Sequence, residues 1–370
     1  MKILYLALVD WFSIKQRPQF IAQGLSKNQR VYYVGRRLWR KNLVVREQND
    51  TISGNLKILR LFDLPAGRLE PVRKVIHLVY REIFRLTDKL KDFEVIWLTH
   101  PLQWTYIPCS SFEQKLVVYD NMDYYVNFTN DLKLKAQIRQ YEQELVDYAK
   151  VIFVSSQQLK SNLINDYGVT AEKIHIVNNG VDNKLLRQGL ATIENIEPKK
   201  YRVGYLGMVA PWFDFELVGR YAQRHSELVF EIVGPVSPDS KADLDNLLKS
   251  SDNIYWQGPV PHSEVAKYIE RFDVCLMPFR SSNLVDAVNP VKIYEYLAFG
   301  KPTVATLTME TEQFNEYIYT YSSPKEFEQA LDRALRESDS KLARRRYAFS
   351  KENSWEKRVL EIERILRSCF

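Results

Sequence analysis

The run from Asn289 to Pro302 combines residue types that could bind an anionic ligand. Asn289 is a suitable helix N-cap, Pro290 suits the first helical position, and Gly300 favours the end of a helix. The start of such a helix has unpaired backbone N–H groups and a partial positive charge, both of which favour a pyrophosphate. The segment therefore predicts a helix whose N-terminus binds phosphate.

Two charged side chains in this helix add to the prediction. Lys292 lies in the first turn, where a cation opposes the helix dipole, so an anionic ligand explains it better than helix stability does. Glu295, one turn later, could accept hydrogen bonds from ribose hydroxyls. We predict a nucleotide site at Asn289, Val291, Lys292 and Glu295. An ordinary amphipathic helix is the alternative.

Acidic residues and a histidine follow other β-type runs. Asp120 and Asp123 come at or just after one such run, and His100 ends another. A carboxylate whose pKa is raised by burial could deprotonate an acceptor hydroxyl. We predict all three as catalytic candidates, with Asp10 a weaker one. An Asx-turn or helix cap is as good an explanation for either aspartate alone, and a lone histidine is more often structural.

Apolar and basic residues alternate in residues 71–91, which predicts an amphipathic helix. Its apolar stripe is predicted to comprise Val72, Val75, Ile76, Val79, Ile83, Leu86 and Leu90. A helix with this stripe against the core and solvated basic flanks is the first interpretation. Docking on an anionic bilayer is the second.

A second basic segment favours the bilayer. Arg36, Arg37, Trp39, Arg40 and Lys41 place an aromatic ring among cations, as is typical of a headgroup region. We predict a membrane or acceptor patch at these five residues. The same composition would suit nucleic acid, but no helix-turn-helix, zinc or RNA-recognition signature accompanies it, so we expect no nucleic-acid partner.

Short β-branched runs alternate with helix-period stretches along the chain. This order predicts βαβ units and parallel sheets covered on both faces, hence an α/β, doubly wound fold in each half. The predicted strands are Ile3–Val9, Arg30–Val34, Val95–Thr99, Lys115–Tyr119, Val151–Val154, Ile174–Val177, Tyr201–Leu206, Val229–Val233, Ile254–Gln257, Val274–Pro278 and Thr303–Thr306.

The polar stretch 187–200 lacks strong periodicity and predicts a linker between two domains. We predict an N-terminal domain over 1–190, a C-terminal domain over 191–350, and a final helix within 351–370 that returns to the first domain. Two such domains would leave a cleft at their strand ends, where open α/β sheets bind ligands.

Composition narrows the protein class. The chain has 370 residues, of which 45% are hydrophobic and 26% charged, so we expect a globular protein. Its three cysteines lack metal-binding spacing, which suits a reducing compartment. No apolar run is long enough to span a bilayer, and the first one stops at Asp10, which favours a strand over a signal peptide. We therefore expect a cytoplasmic protein.

Charge is distributed unevenly along the chain. Residues 1–92 hold 19 Lys and Arg against 8 Asp and Glu, whereas the rest hold 33 against 38. This asymmetry indicates that the N-terminal part meets an anionic partner, such as an acidic bilayer or a phosphate-bearing substrate.

Several segments together resemble the GT-B glycosyltransferases, in particular the family 4-like enzymes of bacterial surface polysaccharide and exopolysaccharide assembly. The resemblance extends over nearly the whole chain. Its motifs are Arg17-Pro18-Gln19, His100-Pro101, Val118–Asp123, Phe153–Ser156, Asn179–Asp182, Val203–Gly207, Glu231–Pro235, Gln257–Val260, Asp273–Phe279 and Pro290–Pro302.

The resemblance implies a GT-B architecture, in which two Rossmann-like domains face each other across a cleft. The N-terminal domain would bind the acceptor, and the C-terminal domain would bind a UDP-, GDP- or dTDP-sugar, with Gly207 and Arg280 in the donor site. The reaction would be hexosyl transfer to a hydroxyl of a glycan linked to undecaprenyl diphosphate, on the inner face of the plasma membrane. No cofactor is implied, and the spacing Asp-x-x-Asp is not that of metal-dependent glycosyltransferases, so we expect no obligatory metal.

Two departures from the family pattern leave alternatives open. Ala287 occupies the position of the first of two glutamates, and Met208–Asp214 lacks the usual basic pair. Phosphate charge would then fall to Lys292 and Arg280. A catalytically silent subunit that binds a partner glycosyltransferase is one alternative, and a sugar-nucleotide epimerase is another, although the dense carboxylates and histidines of epimerases are missing.

Overall fold

The computed structural model describes residues 1–13, 15–37, 54–62, 70–86, 92–194 and 201–370. They form two compact units: unit 1 comprises Met1–Asn178 with Arg358–Phe370, and unit 2 comprises Asn179–Lys357. The domain bounds predicted from the sequence stay a prediction.

Unit 1 is built on a seven-stranded parallel sheet in the order β3-β2-β1-β4-β5-β6-β7. The strands are β1 (Lys2–Leu6), β2 (Arg30–Arg37), β3 (Leu56–Phe62), β4 (Val95–Leu98), β5 (Leu116–Asn121), β6 (Val151–Val154) and β7 (Ile174–Ile176). The helices between them are α1 (Arg17–Leu25), α2 (Glu70–Leu86), α3 (Leu132–Tyr148) and α4 (Gln157–Tyr167).

The central strands are apolar along their length because both faces of the sheet are covered. Every residue of β4, β5 and β6 is buried. The strand order reverses between β1 and β4, so the loops after these two strands diverge at the carboxyl edge of the sheet. Ligands of open α/β sheets bind at such a switch point.

Unit 2 has a six-stranded parallel sheet in the order β10-β9-β8-β11-β12-β13. The strands are β8 (Arg202–Leu206), β9 (Val229–Val233), β10 (Ile254–Trp256), β11 (Val274–Met277), β12 (Thr303–Thr306) and β13 (Tyr319–Tyr321). The helices are α5 (Asn183–Glu194), α6 (Phe215–Arg224), α7 (Lys241–Ser250), α8 (Val265–Arg271), α9 (Asn283–Asp286), α10 (Val291–Ala298), α11 (Met309–Glu312), α12 (Pro324–Arg336), α13 (Ser340–Glu352) and α14 (Trp355–Arg367), which ends in unit 1.

The sheet of unit 2 separates two apolar layers. Side chains of α6, α7 and α12 form one core cluster, and those of α5, α8 and α10 form the other. The doubly wound α/β prediction is therefore confirmed in both units.

Three short elements differ from the sequence prediction. Strands β3 and β13 were not predicted, because each is an edge strand without the continuous apolar run of a central strand. The predicted linker was wrong over residues 187–194, which belong to helix α5. That helix packs closely on α10, since a Cβ added to Gly189 would lie 2.0 Å from the Ala298 carbonyl oxygen. Residues 195–200 lie outside the described ones.

The apolar stripe predicted for α2 was wrong at Val75, Val79 and Ile83, whereas Ile76 faces the core as predicted. Ile76, Tyr80 and Phe84 are buried, whereas Val75 and its neighbours on the next face are exposed. The exposed apolar side chains are Val75 (53% exposed), Leu78 (59%), Val79 (49%) and Ile83 (46%). Packing against the 3₁₀ helix Pro101–Tyr106 selects the buried face: the Tyr80 and Tyr106 rings lie 5.1 Å apart.

The last turns of α14 complete the core of unit 1. Ile362 and Leu366 are fully buried. A Cβ added to Gly24 in α1 would lie 2.4 Å from the Val359 Cγ2 atom. Asn28 Nδ2 donates a hydrogen bond to Glu363 Oε1 at 3.1 Å.

Candidate functional site

The carboxyl edge of the first sheet contains a buried ion pair between Arg17 and Asp120. Arg17 Nη2 and Nε donate hydrogen bonds to Asp120 Oδ1 at 2.8 and 3.0 Å. The two side chains are only 4% and 0% exposed. Arg17 Nη1 donates a further hydrogen bond of 2.6 Å to the Val177 carbonyl oxygen. Arg17 therefore connects the start of α1 to the ends of β5 and β7.

Asp123 lies three residues further along and has different surroundings. Its side chain is only partly buried. Burial raises the pKa of Asp123 to about 6, and the nearby Arg17 guanidinium lowers it in part. A carboxyl group whose pKa lies this close to neutrality can both accept and release a proton near physiological pH. Of the two predicted aspartates, Asp123 has the properties of a base, and Asp120 those of a buried ion-pair partner.

His100 caps the 3₁₀ helix that follows β4. Its Nδ1 atom accepts a hydrogen bond from the Leu102 N–H at 3.1 Å, so in the neutral ring the hydrogen resides on Nε2. The ring lies 4.4 Å from that of Tyr125, whose hydroxyl donates to the Thr99 carbonyl oxygen at 2.5 Å. His100 thus lies at the same sheet edge as the two aspartates, because β4 and β5 are neighbours.

A buried carboxylate lies behind this edge. Glu142 of α3 is 1% exposed and accepts hydrogen bonds from the side chains of Tyr119 (2.5 Å), Asn121 (2.9 Å) and Tyr167 (2.8 Å). Burial raises the pKa of Glu142, while the two tyrosine hydroxyls oppose that shift. The network fixes the end of β5 from the side opposite Arg17, since consecutive strand residues point to opposite faces.

The predicted basic patch cannot be located. Trp39, Arg40 and Lys41 lie outside the described residues, and of Arg36 and Arg37 only the backbone, in β2, is described. The patch stays a prediction.

In unit 2, the glycines that follow β8 and β9, Gly207 and Gly234, lie in contact. Gly207 donates its N–H to the Val233 carbonyl oxygen at 2.9 Å. A Cβ added to Gly234, whose φ is +142°, would lie 1.9 Å from the Gly207 carbonyl oxygen. Only glycine permits this approach, which leaves the backbone after β8 close to that after β9.

The start of α10 differs from the prediction in one respect. Pro290, not Asn289, is the N-cap, and no side chain caps the helix. Asn289 is buried instead, where its Oδ1 accepts from the Asn179 N–H at 2.9 Å and its Nδ2 donates to Glu310 Oε2 at 3.2 Å. Val291 then begins the helix. The N-cap residue therefore offers no side-chain acceptor to the N–H groups in the first turn of α10.

Lys292 and Glu295 form an ion pair on this helix. Lys292 Nζ donates to Glu295 Oε2 at 2.6 Å, and the two side chains are 27% and 6% exposed. Glu295 gives Lys292 an ion-pair partner within the protein. A lysine in the first turn of this helix therefore does not by itself require an anionic ligand. The pair is nevertheless open to solvent on the lysine side.

Arg280 follows β11, next to β8 in the sheet. Its side chain is half exposed, and Nε lies 3.7 Å from Asp214 Oδ1. Its backbone N–H donates to the Trp212 carbonyl oxygen at 2.7 Å, which joins the loops after β8 and β11. Arg280, Gly207 and the start of α10 all follow neighbouring strands β8 and β11, so they belong to the same carboxyl edge.

Among the described residues, no group of three or more His, Cys, Asp or Glu side chains could hold a metal ion. Likewise, within the described ranges, no helix combines the length and the hydropathy needed to cross a bilayer.

Two family models match the chain, one in each half. Residues 31–185 match the model described as glycosyltransferase family 4, and residues 203–337 match the one described as glycosyl transferases group 1. The chain is a family 4-like glycosyltransferase with the GT-B fold. The resemblance predicted from the sequence motifs is thereby confirmed.

A curated relative agrees with this assignment. This chain is 28% identical over 254 residues to TuaH of Bacillus subtilis (strain 168), which is assigned as a glycosyltransferase of teichuronic acid biosynthesis. The match covers 65% of this chain and 63% of the relative, so it spans less than two thirds of the relative's length.

Solved structures agree in fold. HepE of Anabaena, crystallised with UDP and glucose, superposes with a TM-score of 0.67 over 100% of both chains at 14% identity. Sucrose-phosphate synthase of Thermosynechococcus elongatus superposes with a TM-score of 0.72 at 14% identity, over 100% of this chain and 99% of that one. At this identity the likeness concerns the fold, which confirms the GT-B class.

The sequence prediction missed three residues that contact the candidate site residues. These are Arg17, Asn179 and Glu310. The first two were present in quoted motifs, Arg17-Pro18-Gln19 and Asn179–Asp182, and an arginine in the first turn of a helix is itself a signal because it opposes the dipole. Nothing local in the sequence marks Glu310, whose partner Asn289 is 21 positions away.

Proposed function

We propose that the protein transfers a sugar from a nucleotide diphosphate-sugar to a hydroxyl of a lipid-linked glycan, in the biosynthesis of a cell-surface polysaccharide. The observation that carries the proposal is the Lys292–Glu295 pair in the uncapped first turn of α10. It places a cation, a carboxylate and backbone N–H groups together at the carboxyl edge of a Rossmann-like sheet, where a nucleotide diphosphate would bind.

The relatives support the same substrate classes. HepE of Anabaena has been solved with UDP and with UDP-glucose, and the Bacillus relative is assigned to teichuronic acid biosynthesis. A UDP-sugar is therefore the first donor to test.

The donor would exchange partners with the ion pair. Lys292 would turn from Glu295 to the diphosphate, and Glu295 would accept hydrogen bonds from the ribose. Arg280, which is half exposed, would supply a second cation, and the backbone at Gly207, Asn289 and Val291 would line the site. As the bond from the sugar to the diphosphate breaks, negative charge grows on the leaving group, and these preorganised donors stabilise it.

The acceptor would be deprotonated by Asp123. In a displacement, the acceptor oxygen forms the new bond to the anomeric carbon, the bond to the diphosphate breaks, and the acceptor proton passes to the Asp123 carboxylate. Its raised pKa suits this step. Asp120 would remain paired with Arg17, and His100 would support the edge of the site through its Nε2–H.

The reaction would need no metal. Asp120 is occupied by Arg17, which leaves the spacing Asp-x-x-Asp with one available carboxylate, and Lys292 with Arg280 would neutralise the diphosphate. We expect EDTA to leave turnover unchanged. Loss of turnover that Mg²⁺ restores would contradict this part of the proposal.

The test is a screen of the purified full chain. Thermal unfolding is followed with UDP, GDP, dTDP and their sugars, and donor turnover is then measured for whichever raises the unfolding temperature. We expect one nucleotide class to stabilise the protein and its sugar to be hydrolysed or transferred. Binding without turnover, with or without acceptor lipid, would favour the silent subunit, and conversion into another nucleotide sugar would indicate an epimerase.

We also propose that unit 1 docks on the cytoplasmic face of an anionic membrane through α2. Four large apolar side chains project from this helix into solvent, and Lys74 and Arg81 are exposed beside them. A helix with an exposed apolar face and flanking cations binds in the interfacial region of a bilayer. The excess of positive charge in residues 1–92 has the matching sign, and an acceptor carried on a lipid would be met there.

Leu78→Asp tests this docking. Burying one leucine contributes about 1.5–3 kcal/mol, so the variant should partition at least about tenfold less onto vesicles containing phosphatidylglycerol. Leu360→Asp is the matched control, because Leu360 is an equally exposed leucine (56%) on α14. If both variants sediment with the vesicles to the same extent as the wild type, docking through α2 is refuted.

A further inference from the structure

We propose that Arg17 is the positioning residue of the acceptor site: it fixes the segment Asp120–Asp123 so that Asp123, and not Asp120, takes the acceptor proton. This inference rests on the proposed function, because it presupposes that a hydroxyl is deprotonated at this edge. Arg17 would act through Asp120 and Asp123 and would not need to touch the substrate itself.

The geometry carries the argument. Arg17 uses Nε and Nη2 on Asp120 and Nη1 on the Val177 carbonyl oxygen, at 3.0, 2.8 and 2.6 Å. Three donors of one planar guanidinium thus hold the ends of two strands in a fixed relation. Asp120 is fully buried by this pairing, so no acceptor can reach it.

Asp123 is connected to the same cation. The Arg17 guanidinium lowers the pKa of Asp123 against the larger effect of burial. The remaining titratable groups nearby are Asp120 on β5 and Tyr125, whose hydroxyl also interacts with Glu142 of α3. The centre of the Tyr125 ring lies 4.4 Å from that of the His100 ring. Of these, Arg17 supplies the positive charge.

The fold explains why an arginine at this position can reach both strands. Residue 17 begins α1, whose N-terminus lies at the carboxyl edge because the helix follows β1. Its side chain contacts Asp120 in β5 and the carbonyl oxygen of Val177, the residue after β7. A lysine, with one donor nitrogen at its tip, could supply the charge but not all three contacts.

The experiment measures the titration of Asp123 directly. Aspartate labelled with carbon-13 at the carboxyl group is incorporated into the full chain, and the Asp123 resonance is assigned by its loss in Asp123→Asn. Since Arg17→Gln alone would leave Asp120 buried and unpaired and could unfold the protein, it is combined with Asp120→Asn.

Relative to Asp120→Asn alone, the double variant should raise the titration midpoint of Asp123 by about one pH unit, because these two proteins differ only in the charge at residue 17. The donor turnover rate at pH 6 should fall about fivefold and recover at high pH, with the KM for the donor unchanged. Arg17→Lys should keep the midpoint near that of the wild type. Lys15→Gln removes a cation two positions before Arg17, whose ammonium lies 4.5 Å from the centre of the Phe20 ring, and should change neither quantity.

Each contrary outcome has a distinct meaning. An unchanged midpoint in the folded double variant overturns the role of Arg17. A rate that falls by the same factor at every pH also overturns it, because that is the result of a structural role alone. Normal turnover by Asp123→Asn would instead refute the base assigned under the proposed function, whatever Arg17 does.

Discussion

The two units each have an ion pair at the carboxyl edge of their sheet, and the pairs differ in exposure. Arg17–Asp120 in unit 1 is 4% and 0% exposed, and each of the three guanidinium nitrogens donates a hydrogen bond to Asp120 in β5 or to the Val177 carbonyl oxygen after β7. Lys292–Glu295 in unit 2 is 27% and 6% exposed, and it links positions three apart on one helix.

The difference in exposure separates two uses of a charge. A buried ion pair cannot exchange partners without leaving an unpaired charge in the interior. Such a pair therefore fixes the backbone around it. A pair with an exposed lysine can give up its internal partner to an incoming anion, because water and the ligand compensate for the loss. The first pair is therefore expected to matter for folding, and the second for turnover.

The largest effect expected is on the stability of unit 1. Asp120→Ala removes one partner of the buried pair and leaves the Arg17 guanidinium uncompensated, which should cost about 3–5 kcal/mol. Thermal unfolding should show this loss in the transition of unit 1. A variant as stable as the wild type would show that the pair does not fix this edge.

The next effect concerns turnover. Lys292→Ala should lower the donor turnover rate about 100- to 1000-fold, because one preorganised cation at the leaving diphosphate is lost. Its stability should fall by less than that of Asp120→Ala, since Lys292 is partly exposed. Lys292→Arg should restore part of the rate. Normal turnover by a folded Lys292→Ala protein would remove the diphosphate from this helix.

A third prediction uses the pKa of Asp123, which burial raises from 3.8 to about 6. The folded protein therefore holds this proton more tightly than the unfolded chain does. The stabilising contribution is present below about pH 4 and is lost as the pH rises to about 6. Asp123→Asn should thus raise stability at pH 7 by about 2–3 kcal/mol and leave it unchanged at pH 4.

Thermal unfolding of the wild type and Asp123→Asn across this pH range measures the difference. The same substitution should abolish transfer to the acceptor, so the variant would be more stable than the wild type at pH 7 but inactive. A constant difference between the two proteins at all pH values would mean that the carboxyl group titrates as it does in the unfolded chain.

The smallest effect expected is on nucleotide affinity. Glu295→Ala removes the carboxylate assigned to the ribose and should weaken nucleotide binding by about 1–3 kcal/mol. Calorimetric titration with the nucleotide found in the screen measures it. Because Lys292 loses its internal competitor at the same time, affinity for inorganic pyrophosphate should not fall. A parallel loss for both ligands would argue against contact with the ribose.

Much of the fold could be predicted from the sequence, because central parallel strands are continuous apolar runs. β6, β9 and β12 were predicted to the residue. Of the four edge strands, β7 and β10 were predicted and β3 and β13 were not. The buried face of an amphipathic helix could not be predicted in this way either. The choice between Val79 and Tyr80 as the buried residue of α2 depends on the 3₁₀ helix about 20 positions later, which no local period contains.

The candidate site could be predicted in residue type but not in pairing. Asp120 and Asp123 were equivalent in the sequence, and only the contact with Arg17, 103 positions earlier, distinguishes them. In the same way, Asn289 satisfied the local rule for a helix cap, yet its side chain contacts Asn179 and Glu310. Contacts between distant residues decided both cases.

The last turns of α14 have a consequence for biosynthesis. Ile362, Leu366 and Val359 fill the space beside α1 in unit 1, but the ribosome makes them only after all of unit 2. Unit 2, which is continuous from Asn179 to Lys357, can acquire its core as soon as it has emerged. Unit 1 is synthesised first and completed last, so its nascent form exposes an apolar groove to chaperones throughout the translation of its neighbour.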